Sequence, residues 1–423
     1  MVRVRRFWIE YKYSIPYTSY IILHLTDIHY PLSNICIPMR ILSIETSCDE
    51  TAAAILEMKG SAPVLLANIV SSQADAHVKF GGVVPQLAAR MHIENITPVL
   101  DATLAEAKLT QDDIDLIAVT QGPGLIPALL IGVSAAKTLS LLWKKPLMGI
   151  HHIEGHIYAN FIKQKNTENR ISNIDTDKNP VRSDSTFNIP YSTFPLIALV
   201  VSGGHTQLVL MRDHFQYEIL GETEDDAVGE AFDKVARMLG LEYPGGPVVA
   251  RKADAFRDNN NQEPKSKNQK FEFPRPMLNS GDYRFSFSGL KTSVLYFLKK
   301  NEDRIRDETF INEVCHEFQE AVIDVLVEKS RQAIEKFQPK TFVIAGGVSA
   351  NVRLRNQLRT MIEEEFPDTV FSMPELSHAL DNAAMIGSAA AYRYERMTED
   401  QKNSLNENWR DLEASASLTL SNL

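Results

Sequence analysis

Two histidines, His152 and His156, stand four residues apart in a segment that can form a helix. Residues four apart share one helix face, so both imidazoles can bind a single divalent metal. A third ligand must come from elsewhere in the chain. The alternative is that these are core or surface histidines whose spacing is a coincidence, because an isolated H-x-x-x-H pattern is weak evidence of a metal site.

A carboxylate far along the chain is the candidate third ligand. Asp381 precedes a run of small residues, 382–387, that predicts a helix. Two histidines and one carboxylate with open positions suit ferrous iron, with zinc as a second option. The alternative is that Asp381 caps the helix, because an aspartate at a helix start often accepts a hydrogen bond from the first turn.

Glycine turns follow two predicted strands and indicate a ligand that carries phosphate. Ser202-Gly203-Gly204 follows the apolar run 196–201, and Gly346-Gly347 follows the run 341–345. Without side chains, backbone N–H groups can approach phosphate oxygens, and a helix start adds favourable partial charge. One such turn is common in any protein, but two in one chain indicate a nucleotide-sized cleft.

The elements that would position these residues are repeated along the chain. Each half opens with a predicted hairpin whose tip is polar, at 45–51 and at 202–206, and later carries a strand, a glycine turn and a helix. Apolar spacing predicts helices over 87–107, 129–143 and 351–363. The repetition predicts an α/β fold built from two copies of one domain around a central cleft.

Length and composition narrow the class of protein. The 423 residues carry 44 Lys and Arg against 54 Asp and Glu, a net charge of -10, so a surface for nucleic acid must be local or belong to a partner. Three cysteines without a C-x-x-C pair favour a reducing compartment. No apolar run reaches the ~18 to 20 residues that span a bilayer, so we expect no membrane segment.

Two segments differ in composition from the rest. Residues 1–38 are rich in aromatic residues and lack periodicity, and we expect a poorly ordered N-terminal extension. Residues 163–194 are rich in Lys, Asn, Asp, Ser and Thr, which predicts a solvated polar insertion between the two halves.

Ordered blocks of residues then identify a family. From Met39 to about Tyr394 the chain closely resembles the tRNA adenosine threonylcarbamoyltransferases, the TsaD group, in the superfamily of actin, heat-shock chaperone ATPases and sugar kinases. The blocks include Ile44-Glu45-Thr46-Ser47-Cys48-Asp49-Glu50-Thr51, Gly81-Gly82-Val83-Val84-Pro85, His151-His152-Ile153-Glu154-Gly155-His156, Val201-Ser202-Gly203-Gly204-His205-Thr206 and Ala345-Gly346-Gly347-Val348-Ser349-Ala350-Asn351.

The resemblance implies a fold of two actin-like ATPase domains of RNase H-like topology, which flank a nucleotide and metal cleft. The first domain would comprise 39–162 and 376–400, and the second 195–375, followed by a C-terminal tail over 401–423. It also implies the reaction, the transfer of the threonylcarbamoyl group of threonylcarbamoyl-AMP to the exocyclic amine of the adenosine 3′ of the anticodon, in tRNAs that read codons beginning with A.

Site residues carry over from the family onto matching positions. His152, His156 and Asp381 would hold the metal, which is usually iron in this family. The acyl-adenylate or nucleotide would lie against Val200, Val201, Ser202, Gly203, Gly204, Asp233, Gly246 and Asn351. Asp49 and Glu50 at the first hairpin tip could take the proton of the amine. Their alternative role is hydrogen bonding within the turn, and that of Asp233 is a helix cap.

The resemblance also implies partners. Besides tRNA and threonylcarbamoyl-AMP, similar bacterial members work with a smaller paralogue (TsaB-like) and a P-loop ATPase (TsaE-like), whereas mitochondrial members can act alone as homodimers. We expect the bacterial assembly in the cytoplasm, and the mitochondrial homodimer is the alternative.

Three other functions compete with this interpretation. A sugar-kinase-like phosphotransferase or ATPase would share the fold but lack the His152, His156 and Asp381 set. A zinc peptidase would need a glutamate directly after the first histidine, whereas Glu154 lies two residues after it, about 200° around the helix. A non-catalytic paralogue would have lost the metal histidines.

Overall fold

The first five strands form one mixed sheet around a buried central pair. The computed structural model describes residues 38–60, 62–163, 194–260 and 271–420. The strands are β1 (Met39–Glu45), β2 (Glu50–Lys59), β3 (Ala62–Ser72), β4 (Leu116–Gly122) and β5 (Leu147–His151). Their order is β3-β2-β1-β4-β5, with β1 to β3 antiparallel and β1, β4 and β5 parallel. β1 and β4 are buried over most of their length, because helices cover both faces of the sheet.

A second sheet repeats this topology strand for strand. Its strands are β6 (Leu196–Val201), β7 (Thr206–Met211), β8 (Tyr217–Glu222), β9 (Thr341–Ala345) and β10 (Val370–Ser372). Their order is β10-β9-β6-β7-β8, and the parallel and antiparallel pairs fall at the positions they occupy in the first sheet. The predicted duplicated α/β fold is therefore confirmed, although strands β3, β8 and β10 were not identified from the sequence.

Twelve α-helices connect and cover the sheets in the described part of the chain. They are α1 (Ala74–His77), α2 (Pro85–Ala107), α3 (Ile126–Trp143), α4 (His152–Tyr158), α5 (Val228–Met238), α6 (Gly245–Asn260), α7 (Ser288–Lys300), α8 (Glu308–Phe337), α9 (Val352–Glu365), α10 (Leu376–Ala379), α11 (Ala383–Arg396) and α12 (Glu399–Ser404). The helices predicted over 87–107, 129–143 and 351–363 correspond to α2, α3 and α9.

Helices α4 and α11 lie buried between the two sheets. One apolar cluster joins side chains of both sheets to Ile153 and Ile157 of α4 and to Met385 and Ile386 of α11. The two helices pack so closely that a Cβ atom on Gly155 would lie 2.8 Å from the Ile386 side chain. The small residues that precede and follow Gly387 thus serve close packing, and this packing holds the two helices in one relative position.

One helix is longer and more apolar than the sequence analysis anticipated. Helix α3 is long and apolar enough, by length and composition alone, to cross a membrane. Its inner face, with Val133 and Ala136, packs in the core against the first sheet, and its outer face leaves Leu130 and Leu142 exposed. A core helix with an apolar outer face passes the same test, so this feature is weak evidence of a membrane span.

The chain after α12 packs against the first sheet. Asn408 donates a side-chain hydrogen bond to the Leu147 carbonyl, and the Ser415 amide donates to the Gln121 carbonyl. Leu412 and Leu420 are buried in two apolar clusters. The predicted N-terminal extension, up to residue 37, and the polar insertion over 164–193 lie outside the described residues.

Candidate metal centre and ligand cleft

The two histidines lie on the short buried helix α4, as their spacing predicts. His152 and His156 are 6% and 1% exposed, and their ring centroids lie 4.6 Å apart. The helix start is secured by His151, whose Nδ1 accepts a hydrogen bond from the Ile153 amide at 3.1 Å. Strand β5 leads directly into this helix, so the sheet sets the position of both imidazoles.

Asp381 completes the group from the segment before α11. Its Oδ1 lies 3.1 Å from Nε2 of His156 and 3.6 Å from Nε2 of His152. The helix cap is the next residue, Asn382, whose Oδ1 accepts from the Met385 amide at 3.2 Å. The alternative role of Asp381 as a cap is therefore excluded, and its carboxylate is free to face the histidines.

The donor set fits a divalent cation. The candidate ligand atoms of His152, His156 and Asp381 lie within 4.8 Å of one another. Although Nε2 of His156 is close to Asp381, neither ring nitrogen of His156 makes a hydrogen bond of good geometry among the described residues. Buried polar atoms rarely lack a partner, and a metal ion would supply one.

Electrostatics in this group are dominated by the carboxylates. Burial opposes a charged imidazole, but Asp381 and Glu45 outweigh it and raise the pKa of His152 to about 9. Burial also opposes a charged carboxylate, yet His152 and His156 hold the pKa of Asp381 well below its usual range. The pocket therefore favours positive charge next to Asp381.

Glu45 is a site residue that the sequence analysis missed. It is fully buried, its Oε2 lies 3.1 Å from Nδ1 of His152, and it accepts hydrogen bonds from Thr120 Oγ1 at 2.6 Å and from the Ser47 amide. A glutamate at the end of an otherwise apolar strand was the available signal, since a buried carboxylate needs partners.

The first hairpin tip places two carboxylates near the same region. Asp49 is 8% exposed and Glu50 is half-buried. Burial, followed by the charges of Asp381 and Asp49, raises the pKa of Glu50 well above its usual value. The charge of Asp381 thus acts on Glu50, which places the hairpin tip near the metal group.

The glycine turn after β6 is open to solvent. Gly203 and Gly204 are exposed, and a Cβ atom on either would meet nothing within 4 Å. Val200 and Val201 are fully buried core side chains, so they support the turn and offer a ligand only backbone atoms. The Ser202 hydroxyl accepts from the His205 amide at 3.1 Å, which shapes the turn.

The second glycine turn packs directly against the first. Gly346 has φ +87°, and a Cβ atom there would lie 2.5 Å from the Val201 carbonyl oxygen. Only glycine adopts this backbone conformation without strain and also avoids that clash. The two turns predicted from sequence are thus brought together.

Two of the remaining predicted ligand residues, Asp233 and Asn351, cap the N-termini of helices. Asp233 accepts a hydrogen bond from the Gly245 amide at 2.7 Å, so it caps α6, and burial raises its pKa. Asn351 caps α9 by accepting from Leu354, and its amide nitrogen donates to Gln319 at 2.9 Å. Both side chains therefore have structural partners.

Gly246 lies beside Asp233 and leaves space for a ligand. It is half-buried, and a Cβ atom on it would meet nothing within 4 Å.

Glu154 points away from the metal group. It is fully buried, and both of its oxygens lie 2.8 Å from Nη2 of Arg393. The carboxylate is therefore engaged in an ion pair with α11 and is not placed to activate a metal-bound water. The geometry removes the feature that a zinc peptidase would require.

The duplicated sheet order with helices between and around the sheets defines the actin-like class of α/β proteins, here with a histidine and aspartate centre beside the cleft. Within that class, the family model of the tRNA N6-adenosine threonylcarbamoyltransferases, TsaD, matches residues 64–171 and 184–388. The chain belongs to this family.

Curated relatives of that same name agree over most of the chain. The protein of Listeria welshimeri is 45% identical over 354 residues, which cover 84% of this chain and 91% of the relative. That of Staphylococcus haemolyticus is 42% identical over 377 residues, 88% of this chain and 96% of the relative. That of Bacillus licheniformis is 45% identical over 359 residues, 85% and 93% respectively.

The chain is therefore an acyltransferase that acts on tRNA and forms threonylcarbamoyladenosine. The family is metal-dependent in general, in agreement with the histidine and aspartate group on α4 and before α11.

Proposed function

We propose that the transfer is metal-assisted and takes place between helix α4 and the glycine turns of the second sheet. The observation that carries the proposal is the convergence of His152, His156 and Asp381 from two buried segments. This donor set suits Fe(II), with zinc as the alternative. A divalent ion held there would supply a Lewis acid for a carbonyl or phosphate oxygen of the acyl-adenylate.

The glycine turns would hold the AMP part of threonylcarbamoyl-AMP. The exposed amides of Gly203 and Gly204 can approach phosphate oxygens without hindrance. The start of α9, which follows the turn at Gly346, adds partial positive charge. Asp233 and Gly246 would border the ribose, because Gly246 leaves space and Asp233 lies half-buried next to it.

The first hairpin tip would accept the proton that the attacking amine loses. N6 of adenosine attacks the carbamoyl carbon, so a C–N bond forms, the C–O bond to phosphate breaks, and AMP leaves with the electron pair. The attacking nitrogen must lose one proton, and Asp49 is the acceptor in this proposal. Glu50 would keep its own proton, in line with its raised pKa, and donate a hydrogen bond.

Partners of the bacterial type complete the proposal. The net charge of -10 gives little general attraction for tRNA phosphates, so a partner that helps to bind tRNA is expected. Ile93 on α2 and Ile126 and Leu130 on α3 are exposed apolar side chains on two helices that pack against each other. We propose that the smaller TsaB-like paralogue covers them, with a TsaE-like P-loop ATPase joining in the cytoplasm. The named relatives are bacterial, which supports this assembly over an organellar homodimer.

The test is a reconstituted transfer reaction. Purified protein is incubated with unmodified tRNA and threonylcarbamoyl-AMP, with and without the two partners, and threonylcarbamoyladenosine is measured by mass spectrometry. The wild type is compared with Asp381→Asn and with the surface control Asp400→Asn on α12. We expect product with the wild type and the control, and loss of product with Asp381→Asn.

The outcomes separate the alternatives. Product from the wild type alone would favour the self-sufficient homodimer, and product only with partners would support the bacterial assembly. Full activity of Asp381→Asn would overturn metal assistance at this site. Phosphate transfer from ATP to a sugar, without any modified tRNA, would support the kinase-like alternative.

A further inference from the structure

A chain of buried polar residues runs beneath the first hairpin tip and takes no part in the chemistry proposed above. Thr51, Gln73, His77 and His92 are each at most 1% exposed. They come from four elements: the start of β2, the turn after β3, the end of α1 and the middle of α2. Buried histidines are costly unless their nitrogens are paired, so this group calls for an explanation.

The hydrogen bonds form one directional chain. The Val84 amide donates to Nδ1 of His77 at 3.3 Å, and Nε2 of His77 lies 3.4 Å from Oε1 of Gln73. Nε2 of Gln73 lies 3.3 Å from Nδ1 of His92, and Nε2 of His92 lies 3.1 Å from the Cys48 carbonyl oxygen.

The acceptors assign the tautomers. A carbonyl oxygen can only accept, so Nε2 of His92 carries a hydrogen and its Nδ1 accepts from Gln73. Burial lowers the pKa of His92, in agreement with a neutral ring. Likewise, Nδ1 of His77 accepts from Val84, which leaves its Nε2 as the donor to Gln73. Nδ1 of His92 then accepts from two donors, Thr51 Oγ1 at 2.8 Å and Gln73 Nε2 at 3.3 Å, and the second hydrogen of Gln73 Nε2 is donated to the Ala88 carbonyl.

The chain ends on the segment that carries the candidate proton acceptor. Nε2 of His92 donates to the Cys48 carbonyl, and its Nδ1 lies 2.8 Å from Thr51 Oγ1. The backbone amide of Gln73 donates to the Asp49 carbonyl at 2.9 Å. The tip is thus held at three points, on residues 48, 49 and 51, around the two carboxylates. These bonds are made to backbone or hydroxyl groups, so both carboxylates stay available.

The other end of the chain lies in the loop 81–84, called the rim loop below, which contacts the second half of the protein. Val84 belongs to the loop of Gly81 and Gly82, and a Cβ atom on Gly81 would lie 3.3 Å from the guanidinium of Arg237. Arg237 is on α5, one turn after Asp233. The rim loop therefore meets the helix of the second half that borders the proposed ribose site.

We propose that His92, Gln73 and His77 are positioning residues for the transfer, which hold the Asp49 and Glu50 tip in register with the 81–84 rim loop. This inference rests on the proposed function, since it assigns the tip carboxylates a part in the reaction. His92 acts through Asp49 and touches neither substrate nor metal ligand. Small displacements of a reacting group reduce rate strongly, by up to about 100-fold for 1 Å.

The test is a double-mutant cycle of His92→Phe and Asp49→Asn, measured as kcat and KM in the reconstituted reaction. Phenylalanine keeps the ring volume but leaves the Cys48 carbonyl and Thr51 unpaired. We expect His92→Phe to lower kcat about 10- to 100-fold, with KM for threonylcarbamoyl-AMP and the metal content changed by less than about threefold. In the Asp49→Asn background, His92→Phe should lower kcat by less than about threefold, because residues that act as a unit are not additive.

A conservative variant keeps the test informative if His92→Phe folds poorly. His92→Gln offers a donor and an acceptor on one side chain and should recover at least part of kcat, and circular dichroism melting reports whether each variant is folded. Equal losses from His92→Phe in both backgrounds would overturn the inference while leaving Asp49 in the reaction. An Asp49→Asn variant of wild-type kcat would instead overturn the proposed role of Asp49.

Discussion

Glu45 and Asp381 contact opposite ring nitrogens of His152: Oε2 of Glu45 is 3.1 Å from Nδ1, and Oδ1 of Asp381 is 3.6 Å from Nε2. A carboxylate that accepts from one ring nitrogen keeps a hydrogen there, so the other nitrogen is the one that would give up its proton and bind a metal. Because Thr120 and Ser47 also donate to this carboxylate, Glu45 is itself held in place.

Replacing this carboxylate should weaken metal binding. In Glu45→Gln an NH2 group replaces one carboxylate oxygen. In either orientation of the amide, this NH2 group faces at least one of the groups that now donate to Glu45, namely Thr120, His152 or the Ser47 amide. We expect metal affinity to fall about 10- to 100-fold, as is usual when a residue that hydrogen-bonds to a metal ligand is replaced. Isothermal titration with Zn²⁺ measures it, and Glu57→Gln on β2, whose carboxylate pairs with Arg40, is the control. Unchanged affinity in Glu45→Gln would show that the tautomer is set in another way.

The sequence predicted those parts of the site that depend on local spacing. His152 and His156 share a helix face whatever the rest of the fold does, and Gly346 follows an unmistakable buried strand. Asp381 was a candidate ligand from the residues alone, and the family resemblance was needed to prefer that role over a helix cap, because its distance from the histidines depends on how α11 packs against α4.

Roles that depend on three-dimensional packing were not predicted from the sequence. Nothing in the sequence shows that Asp233 caps α6 rather than its own helix, or that His92 reaches the hairpin tip 41 residues before it in the chain. Short edge strands such as β10 were missed because three residues carry too little periodicity.

Metal should stabilise the fold through the same three ligands. An ion that binds only the native state at 100 times its Kd adds about 2.7 kcal/mol to the free energy of unfolding. For a protein of this size we expect a rise in Tm of about 3 °C, measured by scanning calorimetry before and after chelation. The shift should disappear in His156→Ala and persist in Asp400→Asn. An equal shift in His156→Ala would place the ion elsewhere.

Breaking the buried pair of Glu154 and Arg393 should affect stability and spare the chemistry. Glu154 is fully buried, so Arg393→Met leaves an unpaired charge and should reduce the free energy of unfolding by about 3 to 5 kcal/mol. The double variant with Glu154→Gln should recover part of this loss. Denaturant titration measures both, and the zinc content of the folded variants should match the wild type. A zinc-free but stable Glu154→Gln protein would contradict this structural role.

The close contact of the two glycine turns should be sensitive to a single methyl group. Gly346→Ala adds backbone strain of about 1 to 3 kcal/mol and a clash with the Val201 carbonyl. We expect KM for threonylcarbamoyl-AMP to rise at least about 10-fold, since the turns must separate. Gly240→Ala is a matched control, because Gly240 also has a positive φ, +68°, but a Cβ atom there meets nothing within 4 Å. An equal rise of KM in both variants would mean that backbone strain, and not the clash with Val201, causes the loss of binding.

Two exposed leucines on α3 allow a test of the partner surface. Leu130 is 48% exposed near the start of α3, and Leu142 is 69% exposed at the other end of the helix. A charge in the centre of an apolar interface is costly, so Leu130→Asp should weaken association with the TsaB-like paralogue by at least about 2 kcal/mol, or about 30-fold in Kd. Leu142→Asp should change it little. Analytical ultracentrifugation of each variant with and without the paralogue gives the Kd. Loss of a homodimer in Leu130→Asp, with no binding of the paralogue by the wild type, would assign this surface to a second copy of the chain.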